Sequence, residues 1–187
     1  MAISETKICN LALIRLGASL ITGIDAGGKV ANYCNELYSA TVDEVLRMHP
    51  WNSAINRAEL SVLASTPEYG YSYQYTLPTS PYCLRVLSVE NDYPFRVEGR
   101  KLLTDQETCK ITYIKRIVNP TEFDSLLVKA ISLRLASILA YPVVQSKTLG
   151  DQIMEEFKIL LKEAKSTDAQ EGTPEELDTS TWLNSRY

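Results

Sequence analysis

A single histidine, His49, stands among the 187 residues of this chain. Every two-histidine metal motif, H-E-x-x-H included, is thereby excluded, and a serine or cysteine nucleophile has one possible imidazole base. A G-x-S-x-G elbow to present such a nucleophile is missing as well. Paired C-x-x-C cysteines are also absent. Cys9, Cys34, Cys83 and Cys109 lie far apart among apolar neighbours, which reads as reduced core thiols in a reducing compartment. The longest apolar stretch, Ile131 to Val144, is too short for a membrane span and carries Arg134, so no membrane partner is expected. Met1-Ala2-Ile3-Ser4-Glu5 lacks the charged-then-apolar build of a signal peptide. An excess of positive charge is lacking too, with 19 basic against 23 acidic side chains. Asp168, Glu171, Glu175, Glu176 and Asp178, against Arg186 alone, account for the whole net charge of -4 and leave the rest of the chain neutral. A neutral body is a poor reader of duplex DNA, whose affinity comes from lysine and arginine on phosphates.

What is present is the 45% hydrophobic and 22% charged content of an ordinary globular domain. Ser4 is placed to cap a helix in which Ile8, Leu11, Ala12 and Leu16 recur at helical spacing until Gly17. A second helix carries Val30, Cys34, Leu37, Tyr38, Thr41 and Val45 on one face and must end before Pro50. From Trp51 the period becomes two. Strands are predicted over Ala54 to Val62, over the strictly alternating Tyr69 to Thr76 with four tyrosines on one face, and over Cys83 to Val89. A hairpin follows, Phe95 to Glu98 and Lys101 to Leu103 around Gly99-Arg100, and then a strand from Cys109 to Ile114. Asp124 or Ser125 starts a third helix with Leu127, Ile131, Leu135, Ile138 and Leu139 inward, closed by Pro142. Leu149, Ile153, Phe157, Leu160 and Ala164 mark a fourth, antiparallel to it. The expected fold is α+β: a four-helix antiparallel bundle with an inserted small antiparallel β-sheet or hairpin layer and an extended C-terminal arm. Its segments are residues 1–50 and 122–165 for the helical layer, 51–121 for the β-rich insertion and 166–187 for the acidic arm, in which Trp182 is a natural docking anchor.

Chemistry-bearing constellations are few. His49, between Met48 and Pro50, suits bonding to the last carbonyls of its helix. Asp25-Ala26-Gly27-Gly28-Lys29 lacks the spacing of a phosphate loop and reads as a loop entering a helix. Glu155-Glu156 and Glu175-Glu176 read as solvated carboxylates. The tyrosine strand has no basic residue between Thr66 and Leu84, so packing is favoured over base stacking. Arg96, Arg100, Lys101, Lys110, Lys115 and Arg116, against Glu98, Asp105 and Glu107, give the hairpin region a mild positive bias.

The order of these segments resembles the tail tubular protein A family, the head-to-tail adaptors of short-tailed bacteriophages. The resemblance rests on Tyr73-Gln74-Tyr75-Thr76-Leu77-Pro78 running into Cys83-Leu84-Arg85-Val86-Leu87-Ser88-Val89, and on Val97-Glu98-Gly99-Arg100-Lys101-Leu102-Leu103-Thr104-Asp105. It continues through Ile111-Thr112-Tyr113-Ile114, Asn119-Pro120, Leu133-Arg134-Leu135-Ala136, Leu139-Ala140-Tyr141-Pro142 and Trp182-Leu183-Asn184-Ser185-Arg186. Thr79-Ser80-Pro81 and Tyr82 make the step from Leu77-Pro78 to Cys83 longer than in that family. What the resemblance implies is a non-enzymatic virion protein made in the bacterial host cytoplasm, a dodecameric ring between the portal protein and a tail nozzle of the tail tubular protein B type, with tail fibres nearby. Genomic DNA would pass through the ring without specific contacts, and no cofactor or metal would be needed. On that reading Leu177, Trp182, Leu183, Arg186 and Tyr187 dock on the portal, while Arg96, Glu98, Gly99, Arg100 and Lys101 face the tail. The competing expectations are a tail-borne cell-wall or polysaccharide hydrolase using Glu98 or Asp105, and a nucleic-acid-binding module.

Overall fold

The computed structural model describes residues 3–170; the expected docking residues Leu177, Trp182, Leu183, Arg186 and Tyr187 lie outside them. Helix α1 (Glu5–Arg15) starts where Ser4 Oγ accepts the Lys7 N–H at 3.2 Å. It stops at Gly17, whose positive φ of 64° lets the Gly17 and Ala18 N–H groups bond back to the Ile14 and Leu13 carbonyls. The chain then loops to α2 (Lys29–Met48). That loop is pinned by Asn10, whose side chain bonds both the N–H and the carbonyl of Ile21 at 2.9 Å. Pro50 ends α2 as the sequence requires, and the carbonyls of its last turn are covered from outside the helix. The buried Trp51 indole donates to Val45 at 3.1 Å and Arg85 to Arg47 at 3.3 Å.

Helix α3 (Ser125–Val144) is capped by Asp124, which accepts the Leu127 N–H at 2.8 Å. It runs past Pro142, because a proline in the last turn removes only one terminal bond; the left-handed Gln145 closes it instead. At 20 residues α3 is long and apolar enough to cross a membrane, more than the sequence reading allowed it. More than half of that stretch is buried inside this fold, as befits a core helix. Helix α4 (Lys147–Gln170) continues into the segment read as an arm from residue 166.

The four helices do not form the expected four-helix antiparallel bundle. Leu127, Val128, Ala130, Ile131, Leu133, Leu135, Ala136 and Leu139 bury α3 around nearly its whole circumference, so α3 is the hub and α1, α2 and α4 surround it. A bundle needs four helices with one apolar stripe each; here one helix has no polar side to give.

The inserted layer is also larger than expected, making the whole a mixed α+β fold. Strands β1 (Ile55–Leu60), β3 (Cys83–Val89) and β6 (Cys109–Lys115) form one antiparallel sheet in the order β1-β6-β3. Strands β2 (Tyr73–Thr76), β4 (Phe95–Glu98) and β5 (Lys101–Thr104) form a second, in the order β2-β5-β4. Leu60, Val89, Cys109, Ile111 and Tyr113 of the first sheet share an apolar cluster with Tyr75 and Leu102 of the second. The opposite face of the first sheet joins the helical core through Leu84 and Ile114. The predicted eight-residue tyrosine strand shrinks to β2: Gly70, at φ 86°, turns the chain, and Tyr69 is left 87% exposed. Alternation alone was a weak signal because no partner strand reaches that far.

Helices α3 and α4 approach tightly at Gly150, where an added Cβ would sit 3.0 Å from the Ser137 carbonyl oxygen and 3.2 Å from the Ala140 Cβ. Gly150→Ala gains about 1 kcal/mol of helix propensity. It loses about 1–3 kcal/mol to overpacking against a backbone atom that cannot rotate away. Overpacking wins, so calorimetry is expected to show a midpoint lowered by about 2–4 °C; a raised midpoint would refute the close packing.

Candidate functional site

The β4–β5 hairpin turns at Gly99, whose φ of 58° suits a two-residue turn. Arg96, Glu98, Gly99 and Lys101 are exposed there, with Arg96 Nε 3.3 Å from Glu98 Oε1. Strand β4 is an edge strand, so its outer backbone groups have no strand partner among the described residues. Beside the hairpin a groove of about 580 Å³ is lined by Tyr69, Tyr71 and Gln74 together with Arg96 and Lys101. The basic groups missing from the tyrosine segment are thus supplied by a neighbouring hairpin. Glu68 and Glu98 line the same groove, so it carries no cationic excess of the kind a nucleic-acid platform needs.

Arg100, expected to face outward with its neighbours, is instead half-buried. Its guanidinium donates to the carbonyls of Cys83 at 2.8 Å and Pro78 at 2.7 Å and lies 4.0 Å above the Tyr82 ring. Arg116 approaches the same ring at 4.5 Å. Its backbone N–H bonds to the Tyr82 carbonyl at 2.8 Å, and its guanidinium pairs bidentately with Asp43 on α2. Hydrogen bonding to Asp43 pushes the Arg116 pKa up. The Thr79–Tyr82 segment thus brings one aromatic ring against two arginines. The turn-rich sequence gave no sign of this role; a tyrosine directly after a proline turn is the only hint.

The other sequence candidates separate. Asp105 accepts the N–H and hydroxyl of Ser72 at 2.9 and 3.0 Å, a turn brace at the far end of β5 from the hairpin tip. Glu98 lies at that tip, roughly 13 Å of strand away, beyond the separation two hydrolytic carboxylates use. His49 is buried with its ring edge-on to Trp51, centroids 4.9 Å apart. All four cysteines are free and buried. Burial pushes the Cys109 thiol up to about 11 and raises Cys83 too, while a hydrogen bond to Cys34 together with burial holds Cys9 protonated. That Cys9 and Cys34 meet between α1 and α2 was not legible from their spacing. Gly28, at φ 90°, opens α2 without a side-chain cap, which fits a simple loop-to-helix entry. Glu155 pairs with Lys158 and Glu156 with Arg15 on the exposed face of α4. Among the described residues no group of three metal-ligating side chains comes together.

A recess of about 390 Å³ opens where α1, α2 and the segment after β6 meet. It is lined by Glu5, Tyr38, Asp43, Arg116, Val118 and Phe123, among others. Tyr38 is 6% exposed, and its hydroxyl has no hydrogen-bond partner among the described residues. Helical periodicity placed Tyr38 on the core face of α2; only its being tyrosine rather than leucine signalled a polar group there.

No protein-family model matches the chain, and no curated protein matches it.

The arginine pair at Tyr82 yields a contrast. Arg100→Met strips the carbonyls of Leu77, Pro78 and Cys83 of a charged donor and is expected to cost about 2–3 kcal/mol in chemical unfolding. Arg96→Met, at an exposed position four residues away in sequence, is expected to stay within about 0.5 kcal/mol. Equal effects would show that Arg100 is not the clasp described.

Proposed function

We propose that this protein is a structural head-to-tail adaptor of a short-tailed phage virion, whose copies close into a ring between the portal and the tail nozzle. The observation that carries the reading is the pairing of two unlike surfaces on one subunit. A helical assembly around α3 lies on one side, and a two-sheet layer with its own apolar cluster and an exposed hairpin lies on the other. A ring built from heterologous contacts, touching different proteins above and below, requires such unlike faces. The electrically neutral body supports it further, since DNA sliding through a channel must not be gripped. The resemblance of the segment order to the tail tubular protein A family is what makes the reading this specific. In this reading the exposed Arg96, Glu98 and Lys101 meet the tail, and residues 171–187, with Trp182 as anchor, engage the portal.

Native mass of the purified chain, alone and mixed with the portal protein of the same phage, tests it. One adaptor copy per portal subunit in the complex is the expected result, and absence of any complex overturns the portal contact. Truncation after Gln170, the last described residue, is expected to abolish that complex while leaving the melting midpoint nearly unchanged. Trp182→Ala in the full chain is expected to weaken portal binding about 30-fold, the equivalent of about 2 kcal/mol.

A further inference from the structure

We propose that the recess between α1, α2 and the segment after β6 is a receptor site for an arginine side chain presented by a partner protein. This inference does not depend on the adaptor reading. Two observations on independent elements point to it. The Tyr38 hydroxyl is buried without a partner among the described residues, and a buried phenol normally finds one, so a hydrogen bond is left unmet there. Glu5 on α1 lines the same recess and forms no ion pair among the described residues.

Charge complementarity selects the occupant. The charged lining comprises Glu5, Asp43 and Arg116, and Asp43 is already neutralised by Arg116, which leaves the recess with one uncompensated negative charge, that of Glu5. Val42, Ile117 and Phe123 provide apolar walls against which the methylenes of an arginine pack while its planar head reaches polar oxygens. Burial, and then the nearby Glu5 charge, push the Tyr38 pKa up, so the phenol keeps its proton. Water does not reach this hydroxyl in the free protein, so an entering guanidinium has to displace its cover before the oxygen can accept an N–H and the phenol proton can go to a carboxylate. The Asp43–Arg116 pair at the rim shows the same recognition made internally. The chain's own C-terminal segment is the wrong occupant by charge: it carries Glu171, Glu175, Glu176 and Asp178 against the single Arg186, a net charge of the same sign as Glu5. Val118, 78% exposed beside the opening, gives the backbone flanking the inserted arginine an apolar contact.

The experiment titrates the full-length protein with the capped tripeptide acetyl-Gly-Arg-Gly-amide, following amide shifts by NMR. Acetyl-Gly-citrulline-Gly-amide, of the same shape without the charge, is the control. The expected result is saturable binding of the arginine peptide, with shifts clustered at Glu5, Tyr38 and Val118, and at least about tenfold weaker response to the citrulline peptide, as loss of a charged hydrogen-bonding group implies. Glu5→Gln is expected to weaken binding by a similar factor. Tyr38→Phe separates site from scaffold: it is expected to weaken binding while raising the melting midpoint of the free protein, because it removes a buried hydroxyl that has no partner. Equal response to both peptides, shifts located elsewhere, or a lowered midpoint for Tyr38→Phe with binding retained would each overturn the proposal. Arginine binding seen only in the chain truncated after Gln170 would also overturn it, assigning the recess to the protein's own terminus.

Discussion

A helix that is apolar around its circumference cannot lie on a surface, and most of this molecule follows from enclosing α3. Three helices drawn from both ends of the sequence cover it, so the two terminal segments must come together before either has a complete core. The β-rich insertion is then a loop of great length whose ends are fixed by the helices. It repays the closure by contributing Leu84 and Ile114 to the helical core while building a second apolar cluster of its own. Gly150 belongs to the same constraint, since the tight α3–α4 approach leaves no room for a side chain at that point.

Polar contacts do a different job, which is to set angles. Arg134 grips Glu44 with both nitrogens at 2.8–3.1 Å and fixes α3 against α2 in a half-buried setting. Arg116 and Asp43 do the same for the exit of β6. Pairs of this kind contribute modestly to stability, yet their bidentate geometry tolerates one orientation only. The insertion is therefore held to the helices by apolar contacts that set distance and by arginines that set direction.

Apart from Pro142, which α3 runs past, local signals in the sequence were faithful where the deciding atoms lie close together in the chain. Ser4, Gly17, Pro50, Asp124 and the Gly99 turn each act through neighbours a few residues away, and each does in space what its position implied. Features that depend on distant partners were illegible. Whether α3 had one apolar face or several was decided by how many helices came to meet it, and the tyrosine segment stayed a strand only as far as β5 accompanied it. Arg100 looked like any exposed hairpin cation because the carbonyls it binds, at Leu77, Pro78 and Cys83, come from a segment whose path the spacing did not reveal. The recess at Tyr38 is the extreme case, since its walls come from residues 5, 38–43 and 116–123 and no single window of sequence contains it.

The Tyr82 ring, held between Arg100 and Arg116, has a mechanical meaning. The hairpin is joined to Tyr82 through Arg100, and Tyr82 to α2 through Arg116 and Asp43. A push on the hairpin tip is thus delivered to a long helix along a chain of cation, ring, cation and carboxylate. Such contacts lie near the surface, and they slide and re-form without opening an apolar core to water. The molecule therefore has a compliant polar link at its outer edge, which couples the sheets to α2 separately from the apolar contacts that join the two layers.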